Sequence, residues 1–290
     1  MPSGDNIYFY NPSLPASVLF TILYVFPAAF LFYTTIIGPR TGKYGHAGYF
    51  VPLCIGAAME VAGYATRCAS VKQTDSIPLY ATSASLVVVA PVFICASLYM
   101  LMGRLICAGI PEVKSQQRVF GIAPRWLPRI FVTSDIISFL TQASGSGIAS
   151  AGNWKGSQKE AGTDILIGGL ALQLTTFSLF LAIVFRFHQR VNVLRGRVDG
   201  NLKKVLTGIY IAGFFIWVRC VYRLVEFVLG IDGYPFSHEW CLYVLEACPM
   251  LFALCALGYY HPGKWLPRSE LNAALALQDQ DKEANRTTRH

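Results

Sequence analysis

Ionisable side chains recur at helical spacing inside stretches otherwise built of Leu, Val, Ile and Phe. The segment RCVYRLVEFVLG, residues 219–230, carries Arg219, Tyr222, Arg223 and Glu226 at i, i+3, i+4 and i+7, so all four share one helix face. EVAGYATR, residues 60–67, repeats the pattern with Glu60, Gly63, Tyr64 and Arg67. Asp135 and Gln142 stand seven residues apart, again on one face, while Gln173 and Glu246 sit in separate apolar runs. Guanidinium groups grip phosphate or carboxylate through paired hydrogen bonds, and carboxylates hold amines. The chemistry on offer is recognition of a charged or zwitterionic headgroup.

Such side chains need a scaffold that hides them from hydrocarbon. The chain has 290 residues, 54% of them hydrophobic and only 14% charged, with a mean hydropathy of +0.45. A soluble domain carries about a quarter charged residues, and one with this composition would expose large apolar patches. Apolar runs long enough to cross a bilayer fall at 15–37, 48–69, 79–103, 130–150, 163–186, 205–229 and 239–260. The expected fold class is all-α: a polytopic membrane protein with seven transmembrane helices in one bundle, residues 15–263. An N-terminal segment, 1–14, precedes it, and a largely disordered tail, 264–290, follows. No cleavable signal peptide is expected, because the opening MPSGDNIYFYNPSLP lacks a basic n-region.

Lysine and arginine set the direction of insertion. One side receives Arg40 and Lys43, the basic residues of 104–129 and of 186–204, and those of the tail, eighteen in all; the other receives Lys72, Lys155 and Lys159. The N-terminus is therefore expected outside and the C-terminus in the cytoplasm. The net charge of +8 is then a topology signal and a contact for anionic lipid, not a nucleic-acid footprint. Trp126, Trp154, Trp240 and Trp265 fall near the expected interfaces. The sequon at Asn285 lies in the cytoplasmic tail and is expected to stay unglycosylated.

With a rise of 1.5 Å per residue, Glu60, Gln142, Gln173, Arg219 and Glu246 come out at roughly 18–21 Å from the cytoplasmic edge. Five helices thus aim polar groups at one level. A charge facing lipid costs about 2.5–3.5 kcal/mol on the lenient insertion scale, so these faces should turn inward. Arg67, Arg219 and Arg223 balance Glu60, Glu226 and Glu246, leaving room for a zwitterionic guest to replace some pairings. Asp135, only roughly 8 Å in, is expected to form an inner-side ion pair with Arg104. Buried ion pairs can also simply hold helices in register, yet small residues suffice for packing. The stretch TQASGSGIASAG supplies them as Gly145, Gly147 and Ala151. Prolines 27, 91 and 249 should kink helices 1, 3 and 7.

Other chemistries find little support. There is no Gly-x-x-x-x-Gly-Lys-Ser/Thr, so ATP is not the direct drive. None of the five histidines lies mid-span; His238 faces outward and His261 the cytosol, so they cannot share a metal ion. His238-Glu239 reads as the start of helix 7, with an acid suited to the helix dipole, and His261-Pro-Gly as its terminator. The eight cysteines show no Cys-x-x-Cys spacing and mostly read as packing residues. Cys68 and Cys241, near outer helix ends, are the one candidate disulfide. A receptor would share the seven-span topology, but helix 3 ends MGRLI rather than Asp-Arg-Tyr, and helix 7 lacks Asn-Pro-x-x-Tyr.

Several strings, in order, resemble the fungal RTA-like family of lipid-translocating exporters: YNPSLPASV, EVAGYATR, LVVVAPVFICASLYMLMGRLI, FVTSDIISFLTQASGSG, IGGLALQL, RCVYRLVEFVLGIDGY, HEWCLYVLEACPM and YHPG. The resemblance runs from about Tyr10 to Gly263. It implies a seven-span protein, not an enzyme, that moves or resists amphipathic lipids and sterol-like toxins, with sphingoid bases and porphyrin among the family's substrates. By position it carries over Glu60, Arg67, Arg104, Asp135, Gln142, Gln173, Arg219, Arg223, Glu226, His238 and Glu239. The family places an aspartate where this chain has Glu246, which keeps the charge with a longer reach. Membrane lipid or an amphipathic small molecule, and the bilayer itself, are the expected partners. No cofactor, metal or nucleic acid is expected, and the plasma membrane is the expected location.

Overall fold

A computed structural model describes residues 12–41, 48–109, 126–151, 156–195, 200–230 and 233–265. Among them, α1 spans Leu14–Phe32 and runs on through a wide π turn, Tyr33–Ile37, to Arg40. Its start is fixed by Ser13, whose hydroxyl accepts from the Ala16 N–H, and by Pro15 in the first turn. A 3₁₀ turn at Gly48–Phe50 leads into α2, Val51–Lys72. Then come α3 (Ile77–Gly109), α4 (Leu127–Ala151), α5 (Gly156–Arg195) and α6 (Gly200–Val228). The last long rod, α7, is Glu239–Leu242, a second π turn at Tyr243–Ala247, and Cys248–Tyr259.

Each rod packs against its sequence neighbours, and α1 closes the ring against α7. Both π turns end two residues before a proline, Pro39 and Pro249, where the missing N–H and the ring clash loosen the preceding turn. Pro27 and Pro91 lie inside α1 and α3 as expected. His261-Pro-Gly does end α7: the Gly263 N–H donates back to His261 Nδ1, and the imidazole Nε2 lies 3.2 Å from Thr35 Oγ1.

Burial is inverted relative to a water-soluble protein. Phe26 is 68% exposed and Leu140 58%, while Glu60, Glu246 and Arg219 are 1%, 2% and 4% exposed. Only an apolar solvent rewards that arrangement. Five of the rods are long and apolar enough to cross a membrane: those within Leu14–Arg40, Ile77–Ile106, Ser157–Val193, Gly200–Val228 and Glu239–Trp265. This is an integral membrane protein. The expected spans at 48–69 and 130–150 form helices, α2 and α4, but fall short of that hydropathy. Glu60, Arg67 and Lys72 lower α2, and Arg129, Asp135, Gln142 and the Ser/Thr/Gly content lower α4.

Several expectations change in detail. The run at 163–186 is the middle of a much longer rod, because helix-forming Gln, Lys, Glu and Arg carry α5 past the apolar stretch at both ends. Gly145 is a true close-packing point, where an added Cβ would meet the Gly162 carbonyl at 2.6 Å, but Gly147 faces open space, two residues round the helix. Cys68 and Cys241 are free thiols: Cys68 Sγ turns to Thr21 Oγ1 at 3.6 Å, and Cys241 is buried. Trp126 and Trp240 are exposed at helix starts, and Trp265 carries the Lys204 ammonium 3.7 Å from its ring centroid. The expectations for segment 1–11, Trp154, Asn285 and tail residues 266–290 lie outside the described residues.

Candidate functional site

The polar faces of α2, α6 and α7 converge in the bundle interior. Arg219 Nη2 donates to Glu246 Oε1 at 2.8 Å and to the Val87 carbonyl of α3 at 3.1 Å. One turn on, Arg223 Nη1 donates to Glu226 Oε2 at 2.8 Å and lies 3.7 Å from Glu246 Oε2. Tyr222 donates to Glu226 Oε1 at 3.2 Å. The i, i+3, i+4, i+7 face of α6 thus works as one unit, and Glu246 bridges both guanidiniums. Glu246 can do so because it sits in the π turn before Pro249, which resets the phase of α7. Tyr24 of α1 braces the same turn by donating to the Ala247 carbonyl at 2.7 Å.

Beside this network lie side chains with unspent hydrogen-bonding capacity. Glu60 is buried with both carboxyl oxygens unpartnered, and the Tyr64 hydroxyl and Arg219 Nε are unpartnered too. Tyr64 stacks on Tyr24 with centroids 5.1 Å apart. On the other flank, Gln142 Nε2 donates to Gln173 Oε1 at 3.0 Å, tying α4 to α5. A cavity of about 10 Å³ opens there, lined by Val88, Gln142, Leu170, Gln173, Arg219, Cys220 and Arg223. That is room for a single water. The residues expected at one level therefore meet around one network, and the void beside them is small.

Two assignments are corrected. Arg67 does not join the central network: it reaches Glu239 Oε1 at 3.3 Å and donates from Nε to the Tyr243 hydroxyl at 3.3 Å. Glu239 also accepts the Ser13 N–H on Oε2 at 2.7 Å, and Tyr243 bonds Ser17 at 2.9 Å. The resemblance carried Glu239 over as a shared polar residue, while its place at a helix start marked it as a first-turn acid; its pairing with α1 and α2 is tertiary and leaves no periodic trace. Asp135 takes its hydrogen bond from the Tyr99 hydroxyl at 2.9 Å rather than from Arg104, and its Oδ1 is unpartnered. Tyr99 lies more than a turn deeper on α3 than Arg104, which stays half-buried near the helix end. Among the described residues, no group of three or more His, Cys, Asp or Glu side chains could hold a metal ion.

Comparison with known proteins accords with this architecture. The family model described as RTA1 like protein matches residues 53–269. Protein RTM1 of Saccharomyces cerevisiae is 33% identical over 207 residues, 70% of this chain and 64% of its own length. The yeast Protoporphyrin uptake protein 1 is 29% identical over 88% of this chain and 92% of its own. The yeast Sphingoid long-chain base transporter RSB1 is 27% identical over 73% of this chain and 63% of its own length, so the match spans less than two thirds of RTM1 and RSB1. No solved structure matches. With a family match over most of its length, and with the matched segment holding every rod that builds the polar network, the chain belongs to the RTA1-like protein family.

Proposed function

We propose that the protein translocates an amphipathic lipid or similar small molecule across the plasma membrane. Its seven rods, residues 15–263, would all span the bilayer. Segment 1–14 would lie outside and tail 264–290 in the cytoplasm. The names of its relatives, a sphingoid long-chain base transporter and a protoporphyrin uptake protein, support transport of such molecules. The observation that carries the reading is the network of buried guanidinium and carboxyl groups contributed by α2, α6 and α7, with donors and acceptors left open at Arg219, Tyr64 and Glu60. Substrate contacts are assigned to Glu60, Tyr64, Gln142, Gln173, Arg219, Tyr222, Arg223, Glu226 and Glu246, with Arg67 at the outer rim. A headgroup would replace part of the ion pairing, while its tail stays among the apolar helix faces.

A cavity the size of one water does not hold a lipid headgroup, so the arrangement described is a closed one. Loading requires α6 to part from α4 and α5 where Gln142, Gln173 and Arg223 line that gap. Arg219→Ala and Glu60→Ala are each expected to abolish export of a fluorescent sphingoid base from cells. Surface biotinylation should meanwhile show normal amounts of protein at the plasma membrane. Undiminished export in both variants would remove the site.

A further inference from the structure

The central network does not balance. Once Glu239 holds Arg67, what remains in the interior is Arg219 and Arg223, paired with Glu226 and Glu246, and Glu60 beside them. Two guanidiniums face three carboxyls, and the carboxyl without a partner is Glu60, on both of its oxygens. The groups around it come from every side: Tyr24 of α1, Tyr64 on its own helix, Arg219 of α6 and Glu246 of α7. Arg219 already donates to Glu246 and to the Val87 carbonyl, so its charge is shared. On the α3 side, Gly56 and Gly63 of α2 lie so close to Ile94, Ala90 and Val87 that an added Cβ would meet atoms at 2.7–2.9 Å. An isolated carboxylate in such a place is far more costly than a neutral acid.

We propose that Glu60 is the proton-carrying residue of the transport cycle, neutral in the closed arrangement and releasing its proton when a headgroup with one positive charge takes the vacant role. The inference rests on the transport reading above and adds the ion that accompanies it. Charge and atoms balance: the carboxylic acid and an incoming ammonium become a carboxylate–ammonium pair, and the proton leaves to the water that enters with the guest. One positive charge replaces one positive charge, so the buried network carries no uncompensated charge in either state.

The test uses the full chain, purified and reconstituted in phosphatidylcholine vesicles, with infrared spectra of the carboxyl region at neutral pH. The expected result is a protonated-carboxyl band that is lost in Glu60→Gln, kept in Asp135→Asn, and bleached in the unaltered protein when the long-chain base phytosphingosine is added. A Glu60→Gln spectrum superimposable on the parent, a band that survives phytosphingosine, or a band displaced by sodium at constant pH would each overturn the proposal, the last because the occupant would then be a metal cation. Flux of phytosphingosine from the same vesicles is recorded in parallel. Flux with an unresponsive band removes the proton site and keeps the transporter; no flux in the unaltered protein removes the transporter while the spectra still decide the proton site.

Discussion

Where Glu246 in the middle of the bundle ties α7 to two arginines of α6 alone, Glu239 holds several elements together at one rim. It accepts the Ser13 N–H at the start of α1 and the Arg67 guanidinium of α2, while Tyr243 bridges Arg67 to Ser17. Charge-assisted hydrogen bonds of this kind contribute about 1.5–3 kcal/mol each. Glu239→Gln keeps the shape and loses the charge, so it is expected to lower stability by roughly that amount, read as a drop in thermal unfolding temperature in detergent. Tyr243→Phe removes only the hydroxyl bridge and should cost about 1 kcal/mol. If Glu239→Gln were as stable as the parent, the rim cluster would be incidental. Arg67, Arg219, Arg223, Glu226 and Glu60 were all visible in the sequence as helix-spaced charges in apolar runs. Several pairings were not, because Glu239 meets Arg67, Tyr99 meets Asp135 and the Ala247 carbonyl meets Tyr24 only through the folding of distant segments.

At the scale of elements, α4 and α5 approach each other backbone to backbone. Gly145 and Gly162 lie against each other's backbone, with an added Cβ on either meeting a carbonyl or amide at 2.6 Å, and Gly169 is tight against Ser138 and Gln142. Rigid backbone cannot yield, so Gly145→Ala is expected to destabilise by about 1–3 kcal/mol through overpacking. Gly147→Ala, with nothing within 4 Å of the new methyl, should instead gain up to about 1 kcal/mol from helix propensity. Equal thermal shifts in the two variants would deny the packing argument. The sequence showed that a small-residue stretch lay here but could not say which residues met the neighbour, since that depends on the rotation of α4 against α5. It also marked the lipid-length portions of the rods well and their ends poorly. Hydropathy stops where lipid stops, whereas helical hydrogen bonding continues through the polar ends of α5. The π turns were likewise only half legible: Pro249 predicted a disturbance, and the local under-winding that aims Glu246 at two arginines needed coordinates.

The whole molecule is a polar network wrapped in an apolar jacket, and both the transport reading and the proton inference depend on which way it stands in the membrane. The described structure has one rim formed by the α2–α3 connection and the start of α7, and an opposite rim bearing Lys203, Lys204, Lys264 and Arg40. Positive residues resist translocation, so the second rim should face the cytoplasm and the Arg67–Glu239 cluster the exterior. Gln73, in the α2–α3 connection, and Asn201, at the start of α6, are both exposed and sit at opposite ends of the rods. Gln73→Cys is expected to react with a membrane-impermeant maleimide on intact cells, whereas Asn201→Cys should react only after permeabilisation, each scored against the unsubstituted chain. The reverse pattern would turn the bundle over: Arg67 and Glu239 would then guard the cytoplasmic entrance, and a proton released from Glu60 toward that rim would leave into the cytosol instead of the medium.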